Sequence, residues 1–171
     1  MSIETERLTL RRHALDDFAE IAAMWGDPEV VKYISGEPLS EEDVWGKMMR
    51  MVGHWSLMGF GYWVVREKAT GRFIGEVGFG DFKRQLSPSF DGAPEAGWAL
   101  AGWAHGKGYA AEAVRAALAW GDDHFGKVRV VCMISPENIP SLRLAEAVGF
   151  REYAQSTYKG SASTLLERLP T

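Results

Sequence analysis

His105-Gly106-Lys107-Gly108-Tyr109-Ala110 leads directly into Ala111-Glu112-Ala113-Val114, so a glycine-rich turn opens into an alanine-rich helix. Glycines let backbone N–H groups converge on one point, and the helix N-terminus adds a partial positive charge there. Lys107 supplies a full charge. Together these features predict a site for a phosphate or diphosphate. The turn alone is weak evidence, because many glycine-rich turns only reverse the chain.

The turn differs from two better-known phosphate-binding patterns. No Ser or Thr follows Lys107, which excludes a P-loop. The third glycine of a dinucleotide fingerprint is also missing, although alanine is sometimes accepted at that position. The flanking sequence therefore has to decide which phosphate-bearing molecule is bound.

The composition indicates an ordinary globular protein, and we expect one domain over residues 1–171. Hydrophobic residues make up 46% and charged residues 25%. A net charge of −4 argues against nucleic acid or an anionic membrane as a general partner. The seven tryptophans are compatible with a large core, an aromatic pocket or a homodimer face.

Metal binding and disulfide formation find no support in the sequence. The four histidines are scattered without metal-ligand spacing, so we expect no metal. Cys132 is the one cysteine, and its apolar surroundings predict a buried strand residue. The N-terminus lacks the apolar segment of a signal peptide, which makes a cytoplasmic location the default expectation.

Hydrophobic periodicity predicts an alternation of strands and helices. Strands are expected at 7–12, 61–67, 72–82, 96–100, 128–134, 150–158 and 164–169, with turns at 68–71 and 159–163 and a loop at 86–93. Helices are expected at 15–25, from Asp27, from Ser40 to about Leu57, at 109–125 and at 138–148. The third of these should present one apolar face, formed by Val44, Met48, Met51, Val52 and Trp55. The helix at 109–125 joins two strands that should lie parallel, so the fold is a mixed α/β sheet with helices on both faces.

Three segments, taken together, resemble the GNAT superfamily of acetyl-CoA-dependent N-acetyltransferases. They are Glu95–Leu100, the glycine-rich turn, whose Gly106 lies eleven positions after Glu95, and Asn138–Phe150, which starts with Asn-x-x-Ser and ends with Gly-Phe. The segment Thr5-Glu6-Arg7-Leu8-Thr9-Leu10-Arg11 is similar to the start of the branch that contains the ribosomal-protein N-terminal acetyltransferases. The resemblance covers nearly the whole chain. It implies a mostly antiparallel sheet of about seven strands.

The resemblance also assigns the cofactor-binding residues. It implies that the backbone of Gly106–Ala110, with Lys107, Gly108 and Tyr109, holds the diphosphate of acetyl-CoA. Trp98, Ala99 and Leu100 would line the pantetheine, which lies like an added strand beside theirs, while Asn138 would hydrogen-bond it or simply cap the helix. His105 stands where the family usually has Gln or Arg, and it either faces the diphosphate or covers the turn.

Acetyl transfer to an amine also needs a base and an acid. We expect Glu95 to be the base and Glu76 to be the second candidate, each alternatively a structural ion-pair partner. Ser141 is expected to hydrogen-bond the departing sulfur, as an acid or through water, unless it only starts its helix. Trp25, Tyr33, Trp55 and Tyr62 are candidate walls of the acceptor site or else core residues.

The expected function is therefore transfer of an acetyl group from acetyl-CoA to a primary amine, by direct attack on the thioester. The amine is either a protein N-terminal α-amine or a small molecule. Two alternatives remain open from the sequence: an inactive acyl-CoA-binding sensor or interaction module, and an unrelated enzyme that acts on a nucleotide phosphate.

Overall fold

The computed structural model describes residues 1–171 and contains eight strands in one sheet. The strands are β1 (Ile3–Glu4), β2 (Leu8–Arg11), β3 (Tyr62–Glu67), β4 (Phe73–Gly80), β5 (Glu95–Leu100), β6 (Val130–Ile134), β7 (Arg151–Tyr158) and β8 (Ser161–Arg168). The helices are α1 (Phe18–Trp25), α2 (Pro28–Val31), α3 (Glu41–Met58), α4 (Tyr109–Phe125) and α5 (Ile139–Ala147). None of them combines the length and apolar character that a membrane span requires.

The sheet is mostly antiparallel, as predicted. Its order is β1-β2-β3-β4-β5-β6-β8-β7, and only the β5–β6 pair is parallel. Helix α4 connects those two strands, which is why they have the same direction. The mixed α/β architecture is therefore confirmed.

Several details of the sheet differ from the sequence prediction: β4 ends at Gly80 and not at 82, and β6 begins at Val130 and not at 128. The sheet has eight strands rather than about seven because β1, with two residues, is too short to show alternation, although Ile3 is in register with Leu10. The last hairpin turns at Lys159-Gly160, so β8 begins at Ser161 and not at 164. Both turn residues have positive φ, 48° and 81°, which matches the twist of a tight hairpin.

Helix α3 covers one face of the sheet. It begins at Ser40, whose side chain accepts a hydrogen bond from the Asp43 N–H, and ends at Gly59 in the left-handed conformation. The predicted apolar face is buried except for Val52, which is 43% exposed. Val52 lies about 70° around the helix from the centre of that stripe, so assigning it to the buried face was wrong.

The apolar core is divided by the sheet. The larger part lies under α4 and α5 and contains Trp63, Phe79 and Leu166. The smaller part lies under α1, α2 and α3 and contains Ile21, Met48 and Val64. Strand β4 crosses the middle and all eight of its residues are buried, so an ionisable side chain there is held in a defined place.

Candidate active site

The sheet opens between β5 and β6. The register pair Glu95–Val131 is the only one between these strands, so they separate beyond it. Helix α4 follows β5 and α5 follows β6, which brings the starts of both helices to the mouth of the gap. Glu95 thus lies at the closed end of the gap, and the glycine-rich turn lies at the open end.

Strand β5 presents unpaired backbone groups to this gap. The Ala101 N–H donates to the Ile74 carbonyl on the β4 side, so alternation turns Gly97 and Ala99 toward β4. The N–H and C=O groups of Trp98 and Leu100 therefore face the gap, where β6 has moved away, although the Leu100 carbonyl accepts a hydrogen bond from His105 Nε2. This is the edge along which the resemblance predicts the pantetheine.

The glycine-rich turn has the backbone conformation that a diphosphate cradle needs. Gly106 and Gly108 have φ of 73° and 79°, in the left-handed region. No atom lies within 4 Å of the position where a Cβ on Gly106 would project, so the turn is open on that side. Gly108 precedes α4 directly, and the first N–H groups of that helix have no intrahelical acceptor. These residues therefore fit a diphosphate.

The side chains of the turn fix it to the rest of the protein. His105 Nε2 donates to the Leu100 carbonyl at 2.9 Å, which favours the covering role over contact with the diphosphate. The Tyr109 ring is buried beside Trp103, and its hydroxyl donates to Glu67, so its backbone is what it can offer a ligand. Lys107 is exposed, with Nζ 5.3 Å from the Trp103 ring centroid.

Arg7, in the N-terminal segment, forms hydrogen bonds to the glycine-rich turn and to Glu112 of α4. Sequence reasoning missed this role. Arg7 Nη1 donates to the Lys107 carbonyl at 2.8 Å, and Arg7 Nε donates to Glu112 at 2.7 Å. Thr5 Oγ1 donates to the other Glu112 oxygen at 2.6 Å. The motif Thr5-x-Arg7 was the available signal, but it entered only as part of the resemblance.

The start of α5 brings three predicted residues together. Asn138 caps the helix by accepting from the Ser141 N–H at 3.3 Å. Ser141 Oγ accepts from Trp98 Nε1, also at 3.3 Å, across the gap between β5 and α5. The side chains of Ala99 and Leu100 are buried in the two cores and contribute only their backbone. Ser141 therefore faces the edge of β5.

Both candidate bases lie on the face of β4 and β5 that packs against α1, α2 and α3, opposite to the face that carries Trp98. Register pairs place Glu76 beside Ala99, Gly78 beside Gly97, and Gly80 beside Glu95, all on one face. The glycines leave this face bare, and two aromatic side chains cover it. A Cβ on Gly97 would lie 1.8 Å from the Tyr62 hydroxyl, and one on Gly80 would lie 2.2 Å from the Phe82 ring.

Glu95 has the environment of a general base. Its residue exposure is 5%, and Arg84 Nε donates to one of its oxygens at 2.6 Å. Burial raises the pKa of Glu95 above its usual value of 4.5, and the opposing attraction of Arg84 only partly cancels this effect. A carboxylate of raised pKa is a stronger proton acceptor once it is ionised.

Glu76 is also buried, but both of its oxygens are occupied. Trp25 Nε1 donates to one at 2.8 Å, and His13 Nε2 donates to the other at 2.7 Å. The His13 Nδ1 atom is buried without a partner. A carboxylate held in this way is less free to take a proton from a substrate, so the geometry favours Glu95.

The remaining candidates separate into wall and core. Trp25 and Tyr62 lie on the face that carries Glu76 and Glu95. Trp55 packs against Trp63 and Trp120 in the larger core, and Tyr33 follows α2 with Lys32 over its ring.

Cys132 is buried, and burial followed by the nearby Glu95 raises the pKa of its thiol, which argues against an acetyl-thiol intermediate there.

Comparison with known proteins gives a consistent result. The family model described as an acetyltransferase (GNAT) domain matches residues 7–151. The chain is 32% identical to the uncharacterized N-acetyltransferase p20 of Bacillus licheniformis over 152 residues, covering 88% of this chain and 83% of that protein.

Solved structures share the whole fold. A GNAT-family acetyltransferase of Bordetella pertussis superposes with a TM-score of 0.86 at 36% identity, covering 98% of this chain and 99% of that one. The ribosomal-protein-S5-alanine acetyltransferase of Vibrio fischeri superposes with a TM-score of 0.77 at 21% identity, covering 99% and 97%. The second likeness shows that the fold extends to the branch that the N-terminal segment resembles.

Proposed function

The chain belongs to the GNAT acetyltransferase family and is an acyltransferase, and we propose that it moves an acetyl group from acetyl-CoA to a primary amine by direct attack of the amine on the thioester. The single observation that carries this proposal is the lone register pair Glu95–Val131. It sets a buried carboxylate at the closed end of a gap whose mouth holds the glycine-rich turn.

Three groups of residues would hold acetyl-CoA. The N–H groups of Gly106, Gly108, Tyr109 and Ala110 would bind the diphosphate, with Lys107 adding charge at the surface. The backbone groups of Trp98 and the Leu100 N–H would pair with the pantetheine amides, and Asn138 would stand at the start of α5 beside it. A backbone N–H of the same edge would polarise the thioester carbonyl.

Glu95 and Ser141 would carry the proton transfers. Acetyl-CoA supplies the thioester. Glu95 takes a proton from the acceptor ammonium, directly or through water, and the free amine forms the C–N bond as the C–S bond breaks. Ser141 Oγ donates a hydrogen bond to the departing thiolate, and the proton that the nitrogen loses on becoming an amide passes to the sulfur, directly or through Ser141 and water, so that CoA leaves as the thiol. Glu76 remains a less favoured base, since its hydrogen bonds to His13 and Trp25 would have to be broken.

Two measurements test the proposal. A thermal-shift series with acetyl-CoA, ATP and NAD should show stabilisation by acetyl-CoA alone, and stabilisation by ATP or NAD instead would indicate a nucleotide-phosphate enzyme. Thiol release from acetyl-CoA should then depend on an added amine, tested with N-terminal peptides, amino acids, polyamines and aminoglycosides. Tight binding of acetyl-CoA without thiol release for any amine would indicate an inactive sensor or interaction module.

A further inference from the structure

Lys47 lies near enough to both candidate bases, Glu76 and Glu95, to interact with their charges, and it forms an ion pair with neither. It projects from α3 and holds Nζ 4.4 Å from the centroid of the Trp25 ring. The Trp25 ring in turn donates its N–H to Glu76. By contrast, Arg84 is paired with Glu95 at 2.6 Å, and Lys83 is paired with Asp81 at 2.7 Å. The face of the Trp25 ring contacts one side of the Lys47 ammonium, and the N–H donors of that ammonium remain available to a ligand.

The charges nearby do not offset this ammonium. Two further cations, Arg50 and Arg84, act on Lys47, as do the carboxylates Glu76 and Glu95. Glu76 already accepts hydrogen bonds from His13 and Trp25, and Glu95 accepts one from Arg84. Burial has the largest effect and lowers the pKa of Lys47; the attraction of Glu76 comes next and opposes it, while repulsion from Arg50 and Arg84 adds to the lowering. A bound anion would relieve that cost.

The shape of the site limits the size of such a ligand. The face formed by Gly78, Gly80 and Gly97 has no side chains of its own. Tyr62 and Phe82 already cover it, with their rings 6.3 Å apart. An acceptor that reaches Glu95 over this face has to fit beside these two rings, which favours a small molecule over a folded polypeptide.

We propose that Lys47 binds an anionic group of the acceptor, so that the acceptor is a small primary amine carrying a carboxylate or phosphonate, as an amino acid does. This inference rests on the proposed function, since it places the amine of the same molecule at Glu95. It excludes polyamines, whose second cation would meet Lys47 and Arg50. The carboxylate and phosphonate classes share this chemistry and are separated by experiment.

The test compares matched acceptors on the full-length enzyme. Amino acids are assayed against their amides, and 2-aminoethylphosphonate against ethylamine, with spermidine as the polyamine. Lys47→Met should lower kcat/KM for the preferred anionic acceptor about 30-fold or more, while KM for acetyl-CoA and the rate with the uncharged match stay the same. Lys47→Arg should restore most of the loss, and Lys127→Met, at an exposed lysine outside the site, should have no effect.

A second readout does not depend on turnover. N-acetylglycine should bind to the protein–CoA complex in calorimetric titration, N-acetylglycinamide should bind less tightly, and Lys47→Met should remove the difference. Equal use of charged and uncharged amines, preference for spermidine, or an unchanged titration with Lys47→Met would overturn the inference and leave the proposed function intact. Absence of thiol release with every amine would overturn the proposed function, and the titration would still decide on the anion site.

Discussion

Glu95 is in register with Val131, and no other residue of β5 has a register partner in β6. The last point of contact between the two strands is therefore also the position of a buried carboxylate. A pantetheine chain laid along the free edge of β5 would end at this point, because the next ladder position is already occupied by β6. In the proposed reaction, the thioester carbonyl would therefore lie where the sheet closes.

The first prediction concerns activity. Glu95→Gln should lower kcat by about 100-fold or more, because the amide cannot accept the ammonium proton. The acidic limb of kcat/KM against pH should follow the raised pKa of Glu95, above 4.5, and should disappear in the variant. Glu76→Gln is the comparison, and it should keep the acidic limb. If Glu76→Gln removes the limb and Glu95→Gln does not, the roles of the two residues are reversed.

The same substitution should affect stability in the opposite direction. The folded-state pKa of Glu95 is raised, so its contribution to stability is present at low pH and is lost as pH rises through that pKa. At pH 7 the ionised side chain destabilises the fold, and Glu95→Gln should melt at or above the wild-type temperature. The difference should shrink toward pH 4, where both side chains are neutral. A Tm for Glu95→Gln well below wild type at pH 7 would show that the Arg84 pair outweighs burial.

The order of elements could be predicted from the sequence because local signals define it. Helix α4 has its predicted bounds, Tyr109–Phe125, since Gly108 and Gly126 flank it with positive φ. The parallel β5–β6 pair followed from the helix between them. The choice of Glu95 as the candidate base followed from the resemblance, not from periodicity.

Other parts of the site could not be predicted because long-range contacts create them. Arg84 lies in a segment with no regular structure, and only the folded chain brings it to Glu95. The ion pair between Arg7 and Glu112 joins residues that are 105 positions apart. Burial of Lys47 depends on how α3 lies over Trp25, and helical spacing alone does not show it. Ionic partners separated by this much sequence leave no local pattern.

The glycine-rich turn gives a third prediction, on binding. Gly108→Ala forces a left-handed φ of 79° on a residue with a Cβ, and that Cβ would lie 3.3 Å from Arg7 Nη2. We expect KM for acetyl-CoA to rise by about tenfold with a loss of stability of about 1 kcal/mol. Gly71→Ala has a similar φ of 73° in a hairpin away from the site, and it should show the stability loss alone. An equal rise in KM for acetyl-CoA in both variants would show that general backbone strain, and not the glycine-rich turn, causes the change.

A fourth prediction tests the departing thiol. Ser141→Ala should lower kcat about tenfold, the value of one hydrogen bond of roughly 1.4 kcal/mol, with little change in KM. The substitution to alanine also removes the hydroxyl to which Trp98 Nε1 donates. A Ser141→Thr variant keeps a hydroxyl and should therefore retain more activity. Ser161→Ala, at the exposed start of β8, is the control. Full turnover by Ser141→Ala would remove this residue from the chemistry.

The fifth prediction concerns acid stability and lies outside the site. The Asp17 side chain is fully buried, which by itself raises its pKa, but hydrogen bonds from Arg11, Arg66 and the Ala14 N–H outweigh burial and lower the pKa to about 2. The stability it contributes is present above about pH 4 and is lost as pH falls toward 2. Asp17→Asn should therefore cost about 2 kcal/mol at pH 7, or roughly 4–8 °C in Tm.

The neighbouring Asp16 supplies the matched control for that prediction. It is exposed and its side chain makes no ion pair, so Asp16→Asn should leave the Tm at pH 7 unchanged. Thermal melts from pH 7 to pH 2.5 should show the gap between wild type and Asp17→Asn narrowing below pH 4, because protonation removes the same charge that the substitution removes. A gap that stays constant over this range would mean that Asp17 stabilises the start of α1 by its shape and neutral hydrogen bonds, with no contribution from its charge.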